Sequence, residues 1–241
     1  MKKQFIKTIQ PTPVLNHPSF KDVFGGKDGK TLATDYKGHI RSLEYVALKD
    51  HVFEIIKKYP DHILEVRSLS YPTIPLYIDE RFTEPTINST RIKTRPSIPI
   101  IINKLKKCLG LPYIWGGNWS RGIIEILQYY PPKETLPKHI HDHWMLRGID
   151  CSGLLYEATN GYTPRNTSDL FCFGNFLAIE HNEIESIVQP LDIILFPGHV
   201  IIILDNKTCI ESKEQKGVIL SNLKTKLQEL KQKKIQTVSL L

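Results

Sequence analysis

The stretch from Asp192 to Ser212 constrains this chain more than any other. Asp192 to Phe196 and Val200 to Leu204 are short, almost wholly apolar segments of strand length. Pro197-Gly198 separates them, and Asp205-Asn206 turns the second into Thr208 to Ser212. Strands that follow one another through such short turns leave no room for an intervening helix, which excludes alternating βαβ units here. Upstream, Ile98, Ile101, Ile102, Leu105 and Leu109 fall on one face of a helix that Gly110 ends. A second helix is expected to start near Asp150, carry Leu154, Leu155 and Ala158, and stop at Asn160-Gly161. Two helices and then consecutive strands read as an α+β domain. A late helix over Asn222 to Lys234 has Leu223, Leu227 and Leu230 on one face, and its five lysines are expected on the wet side.

The first 85 or so residues read differently. Leu43 to Leu48, Val52 to Ile56 and Ile63 to Val66 are apolar-rich segments among the turn signals Gly25-Gly26, Asp28-Gly29, Lys37-Gly38 and Tyr59-Pro60-Asp61. Short strands at this spacing point to a small barrel. Glu84 to Ser97, with Pro85, Pro96 and several Thr and Ser, reads as a linker. The expected division is therefore 1–84, a linker at 85–97, and 98–241.

Composition narrows the class. With 41% hydrophobic and 24% charged residues, the chain has a core to bury, which excludes disorder and collagen-like repetition. No run of 18 apolar residues exists, so no membrane span is expected. The formal charge is +7, and residues 206–241 carry eight Lys against three Glu. That favours anionic partners without choosing among nucleic acid, a membrane surface and a cell-wall polymer. Met1-Lys2-Lys3 has the basic front of a signal peptide, but Thr8, Gln10, Pro11 and Pro13 interrupt the apolar stretch that such a peptide needs. The expected location is the cell envelope if the chain is exported, and the cytoplasm if no leader has been removed. The four cysteines, at 108, 151, 172 and 209, include no CxxC pair, so they read mostly as free thiols rather than a zinc ribbon or a thioredoxin-type motif.

Gly148-Ile149-Asp150-Cys151-Ser152-Gly153 is the strongest candidate for chemistry. A cysteine at the first turn of a helix faces free backbone N–H groups and the positive end of the helix dipole. Both favour thiolate, the nucleophilic form. An ordinary cysteine is a small buried hydrophobe, but Asp, Ser and two glycines beside this one permit close backbone approach. A nucleophilic cysteine needs a base. Of nine histidines, His199 is the one that opens an otherwise apolar strand, although a lone histidine there also fits as a satisfied core residue. The base needs an acceptor to orient it. Glu211, beyond the turn at Asp205-Asn206, would return beside His199 in a hairpin, or else stand as a solvated surface residue.

At this point the residues resemble a family. Leu111-Pro112-Tyr113-Ile114-Trp115-Gly116-Gly117, then Gly148 to Gly153, then Pro164-Arg165, then Gln189-Pro190-Leu191-Asp192, then His199-Val200 look like the NlpC-type cysteine peptidases of bacterial cell walls, over roughly residues 98–241. The resemblance implies a papain-like α+β fold and hydrolysis of a peptidoglycan stem peptide, at the bond between γ-D-glutamate and diaminopimelate or a similar link. Position by position, Cys151 matches the nucleophile, His199 the base, and Glu211 the third residue, which is usually His in the family. Tyr113 matches a tyrosine that helps the oxyanion. Asp150 and Ser152 match residues that bind the free amine of the stem peptide in some relatives, Arg165 matches an arginine lining the site, and Trp115 stands in the first motif as a further substrate-binding candidate. Tyr45 to Phe82 is similar, more loosely, to the bacterial SH3-like barrels that precede this domain in several relatives.

Two departures matter. Leu191 replaces the usual Gly before Asp192, which implies a different turn. The gap from Gly117 to Gly148 is long and is expected to form a lid or subsite wall. It contains His139-Ile140-His141-Asp142-His143, whose HxHxH spacing on a strand would put three histidines on one face, as a zinc site needs. Thiol chemistry needs no metal, and no metal or cofactor is expected. The chain is expected to act as a monomer on peptidoglycan or muropeptides, without nucleic acid. Alternatives are an amidase or acyltransferase on the same scaffold, a non-catalytic wall-binding protein, or nucleic-acid binding through the lysine-rich tail.

Overall fold

The structure is a computed structural model that describes residues 3–240, so Met1 and Lys2 of the basic start lie outside the described residues. Helix and sheet are both present, in two compact units. One comprises Met1–Lys93 with Ile114–Gly148, the other Thr94–Tyr113 with Ile149–Leu241.

In the first unit, seven strands pair antiparallel in the order Leu43–Ala47, Thr12–Leu15, Tyr71–Asp79, Ile63–Ser68, Val52–Lys58, Phe5–Thr8 and Thr83–Thr86. Val14, Tyr45, Phe53, Leu64, Val66, Leu76 and Ile78 form a core on this sheet. The strand Thr83–Thr86 falls at the start of the stretch expected as linker. It takes Pro85 because it is an edge strand with a single partner, where proline is tolerated. Residues 87–97 carry neither helix nor strand.

Residues 114–148 also belong to this unit, whereas the sequence pattern places them within 98–241, with 118–147 as a lid or subsite wall. They form core. Ile126, Trp144 and Leu146 are fully buried with Phe20, Phe24 and Leu43. Tyr130 Oη donates to the buried Asp79 carboxylate at 2.6 Å, Trp144 Nε1 donates to the Tyr130 carbonyl at 2.9 Å, and the Asn118 amide exchanges two hydrogen bonds with the backbone of Val46. The histidines lie on a helix, Lys138–Trp144, so His139 and His143 share a face and His141 does not. Among the described residues, no group of three His, Cys, Asp or Glu is placed to hold a metal.

The second unit is built on six antiparallel strands, ordered Asn175–Leu177, Gln236–Ser239, Ile193–Phe196, His199–Ile203, Thr208–Lys213 and Gly217–Asn222. Strand periodicity sorts its apolar residues onto two faces. Ile193, Leu195, Val200, Ile202 and Ile210 face the helices Ile98–Lys107 and Cys151–Ala158. Ile194, Ile201, Ile203 and Cys209 face the helix Leu223–Leu230. That helix is capped by Asn222, whose side chain accepts from the Thr225 N–H at 3.0 Å, and it ends four residues before Lys234. Leu223, Leu227 and Leu230 are buried as expected of an apolar stripe, but so is Lys226. No helix among the described residues is long and apolar enough to cross a membrane. The cysteines are free thiols; Cys172 is exposed and the other three are buried.

Candidate active site

Every residue of this site belongs to the second unit. Cys151 opens the helix Cys151–Ala158, and Asp150 caps it by accepting from the Gly153 N–H at 2.6 Å. The N–H groups of Cys151 and Ser152 come before the first intrahelical bond, which the Leu154 N–H makes to the Asp150 carbonyl. The thiol lies 3.7 Å from the Gly198 carbonyl and 3.6 Å from Thr167 Oγ1. Thr167 starts the short helix Thr167–Leu170, and no motif in the sequence marks it.

Pro197-Gly198 connects two paired strands, with Phe196 opposite His199. Gly198 has φ of +80°, and Pro followed by such a Gly fits a type II turn. The turn places His199 at the head of its strand and the Gly198 carbonyl 3.7 Å from the Cys151 thiol. Nε2 of the His199 ring lies 2.7 Å from Glu211 Oε2, and Cys151 is near enough to the ring to raise its pKa. Ile203 opposes Cys209 across the next pair of strands, which brings Glu211 back on the face that carries His199.

The charges follow from these contacts. Burial works against a charged His199 ring, but hydrogen bonds to Cys151 and Glu211 and their negative charges raise its pKa to about 9. Burial likewise works against the Glu211 carboxylate, and the hydrogen bond from His199 together with the positive charges of His199 and Lys226 outweighs it, lowering its pKa to about 2. An ionised carboxylate only accepts, so Nε2 of His199 carries the proton and Nδ1 is left for the thiol. Lys226 Nζ lies 2.6 Å from Glu211 Oε1, off the hydrogen-bond direction and so held by charge, and donates to Glu229 Oε2 at 2.7 Å. Burial opposes its charge too, and the two glutamates raise its pKa. The side chains of Glu211 and Lys226 are 2% and 6% exposed. Lys226 stands where its chemistry is unexpected: Leu223, Lys226, Leu227 and Leu230 are one i, i+3, i+4, i+7 stripe, a pattern visible in the sequence.

Tyr113 has its phenol pKa raised, first by burial and then by the negative charges of Asp150 and Cys151, so it stays a neutral phenol. Asp150, Ser152 and Arg165 form one buried network. Arg165 donates through both terminal nitrogens to Asp150, at 3.0 and 2.5 Å, and at 3.0 Å to Ser152 Oγ. These groups fix the helix start. Trp115 is in the other unit, 40% exposed, with the Arg41 guanidinium 4.4 Å from its ring and His39 stacked at 5.8 Å. Leu191 has φ of +75°, the left-handed conformation that a glycine adopts freely, so the turn before Asp192 keeps a glycine-like backbone despite the side chain.

No family model matches the chain, and no curated protein matches it. Solved structures do, among them NlpC/P60 proteins. NlpC1 from Trichomonas vaginalis is 14% identical, with 98% of this chain and 68% of that one covered at a TM-score of 0.40. An NlpC/P60 family protein from Bacillus cereus is 18% identical, covering 92% and 58% at 0.38. RipD from Mycobacterium tuberculosis, a non-catalytic NlpC/p60 domain protein adapted to peptidoglycan binding, is 19% identical, covering 61% and 99% at 0.40. The likeness is distant, and the chemistry rests on this chain's own residues.

Proposed function

We propose that this chain is a cysteine hydrolase that cleaves an amide of peptidoglycan stem peptides. The observation that carries the reading is the line of groups from a helix-start thiol through His199 to a buried, ionised Glu211. A raised histidine pKa between a thiol and a carboxylate suits a base that takes the thiol proton and holds it as an ion pair. The thiolate of Cys151 attacks the amide carbonyl. The N–H groups at the helix start and the Tyr113 phenol are the donors available to the oxyanion. His199 then protonates the leaving amine, and water, deprotonated by His199, hydrolyses the thioester.

The substrate class is supported by the order of motifs from Pro112-Tyr113 to His199-Val200, and the bond proposed is that between γ-D-glutamate and diaminopimelate. The same motifs support a papain-like reading of the peptidase part, and the short antiparallel strands from Phe5 to Asp79 support an SH3-like barrel within residues 1–84.

The test is incubation with L-Ala-γ-D-Glu-diaminopimelate, read by mass spectrometry beside Cys151→Ala. Release of L-Ala-D-Glu by the wild type alone is expected. Cleavage at a different bond would move the substrate to an amidase or transferase reading. Equal cleavage by Cys151→Ala would sink the mechanism, and binding without cleavage would make the chain a wall-binding protein.

A further inference from the structure

The ion pair behind Glu211 has no part in the reaction as written. Its lysine is nonetheless buried, and lysines are almost never buried unless paired. The two oxygens of Glu211 have different partners: Oε2 meets His199 at 2.7 Å and Oε1 meets Lys226 at 2.6 Å. The last torsion of a glutamate is broad, so a carboxylate held at one oxygen can swing about it. Contacts on both oxygens fix its plane. Lys226 is itself held from outside by Glu229, 55% exposed, one helical turn away.

We propose that Lys226 is a positioning residue, which by holding Oε1 fixes the Glu211 carboxylate and so keeps the His199 ring aimed at Cys151. The inference rests on the cysteine-hydrolase reading above. The device is a relay from Cys151 through His199, Glu211 and Lys226 to Glu229, drawn from two strands and two helices. The titratable groups that face it are His199 on one strand, Cys209, Glu211 and Lys213 on the next, Lys226 and Glu229 on the late helix, and Cys151 with Tyr113 beside it. Cys209 stays a neutral thiol, because burial first and then the charge of Glu211 raise its pKa to about 12. Lys213 bears on Glu229, at the outer end. The positive groups acting on Glu211 are His199 and Lys226. With Lys226 uncharged, Glu211 protonates at higher pH. The imidazolium then lacks its acceptor over that range, and the thiolate fraction of Cys151 falls.

The test is the rate of alkylation of Cys151 by iodoacetamide against pH, read residue by residue by mass spectrometry. Exposed Cys172 on the same chain serves as reference. In Lys226→Met the acid inflection for Cys151 moves up by about one pH unit or more, Cys172 does not move, and Lys226→Arg restores the wild-type value. Lys226→Gln, which keeps a donor but no charge, carries the same expectation should the methionine variant fail to fold. On the wild-type chain, the Glu211 side-chain carboxyl 13C resonance is expected to titrate at about 2. Folded Met or Gln variants with the wild-type inflection, Lys226→Arg no better than Lys226→Met, or a wild-type Glu211 that titrates near 4.5 would each overturn the proposal. Alkylation needs no substrate, so this result stands apart from whether a stem peptide is cleaved.

Discussion

Replacing Arg165 by methionine separates two accounts of that residue. In the structure Arg165 is 4% exposed and spends both terminal nitrogens on Asp150, whose side chain is 11% exposed. Asp150 in turn caps the helix that Cys151 opens. Arg165→Met leaves a buried carboxylate without its counter-charge, a change that costs about 3–5 kcal/mol. For a chain of this size, each kcal/mol lowers the melting temperature by about 2–4 °C, so a fall of about 6 °C or more is expected. The second arm is Asp150→Asn on the same background. Asparagine keeps the cap acceptor for the Gly153 N–H and removes the stranded charge, so the double variant recovers about half of the loss or more. The assay is thermal unfolding by circular dichroism at neutral pH for the two single variants and the double variant. An Arg165→Met chain that melts like the wild type while KM rises would refute the reasoning, because it would put the arginine on substrate rather than on Asp150.

Other expectations come from the same contacts. The His199–Glu211 pair contributes stability that is fully present below pH 6.5 on the histidine side and lost as pH rises through about 9. On the glutamate side it is fully present above pH 4.5 and lost as pH falls through about 2. The gap in melting temperature between the wild type and Glu211→Gln should therefore be widest between pH 4.5 and 6.5 and close toward either extreme. Thr167→Val removes the hydroxyl 3.6 Å from the Cys151 sulfur and is expected to slow alkylation of Cys151 about threefold to tenfold, in keeping with the net worth of about 0.5–1.5 kcal/mol of one ordinary hydrogen bond, with no change at Cys172. Gly217 has φ of +67°, and a Cβ there would sit on the Leu111 carbonyl oxygen. Gly217→Ala should displace the Leu111–Tyr113 segment, lowering turnover more than it lowers the affinity for substrate, by kinetics on a cleaved stem peptide.

The parts of this site that local chemistry dictates are legible in the sequence. An acidic cap before Cys151, a left-handed Asn160-Gly161 stop and a Pro-Gly turn before His199 each impose a backbone conformation from adjacent residues. The return of Glu211 to His199 is legible as well, because the turn at Asp205-Asn206 sets which residues share a face. Long-range packing is not. Lys226 reads as a surface lysine by residue type, although its place among Leu223, Leu227 and Leu230 puts it on the buried stripe. Thr167 reaches the sulfur only because the chain folds back after Arg165, which no local pattern encodes. The 118–147 segment reads as a lid or subsite wall from its position between two motifs. Trp144, Ile126 and Tyr130 hold too much apolar surface for that, and the structure buries them with Phe20 and Phe24. At Leu191 the sequence implies a different turn. Burial of the leucine side chain against the core offsets the strain of a positive φ.

The central claim, that Cys151 is acylated by a stem peptide, is tested most directly by trapping the intermediate. The wild-type chain is mixed with L-Ala-γ-D-Glu-diaminopimelate, quenched in acid within the first turnovers, and digested for mass spectrometry. The account predicts a thioester carrying L-Ala-D-Glu on the peptide that contains Cys151, labile to hydroxylamine and absent in Cys151→Ser and His199→Ala. Product release with no adduct on Cys151, or with the adduct on Cys172, would contradict it.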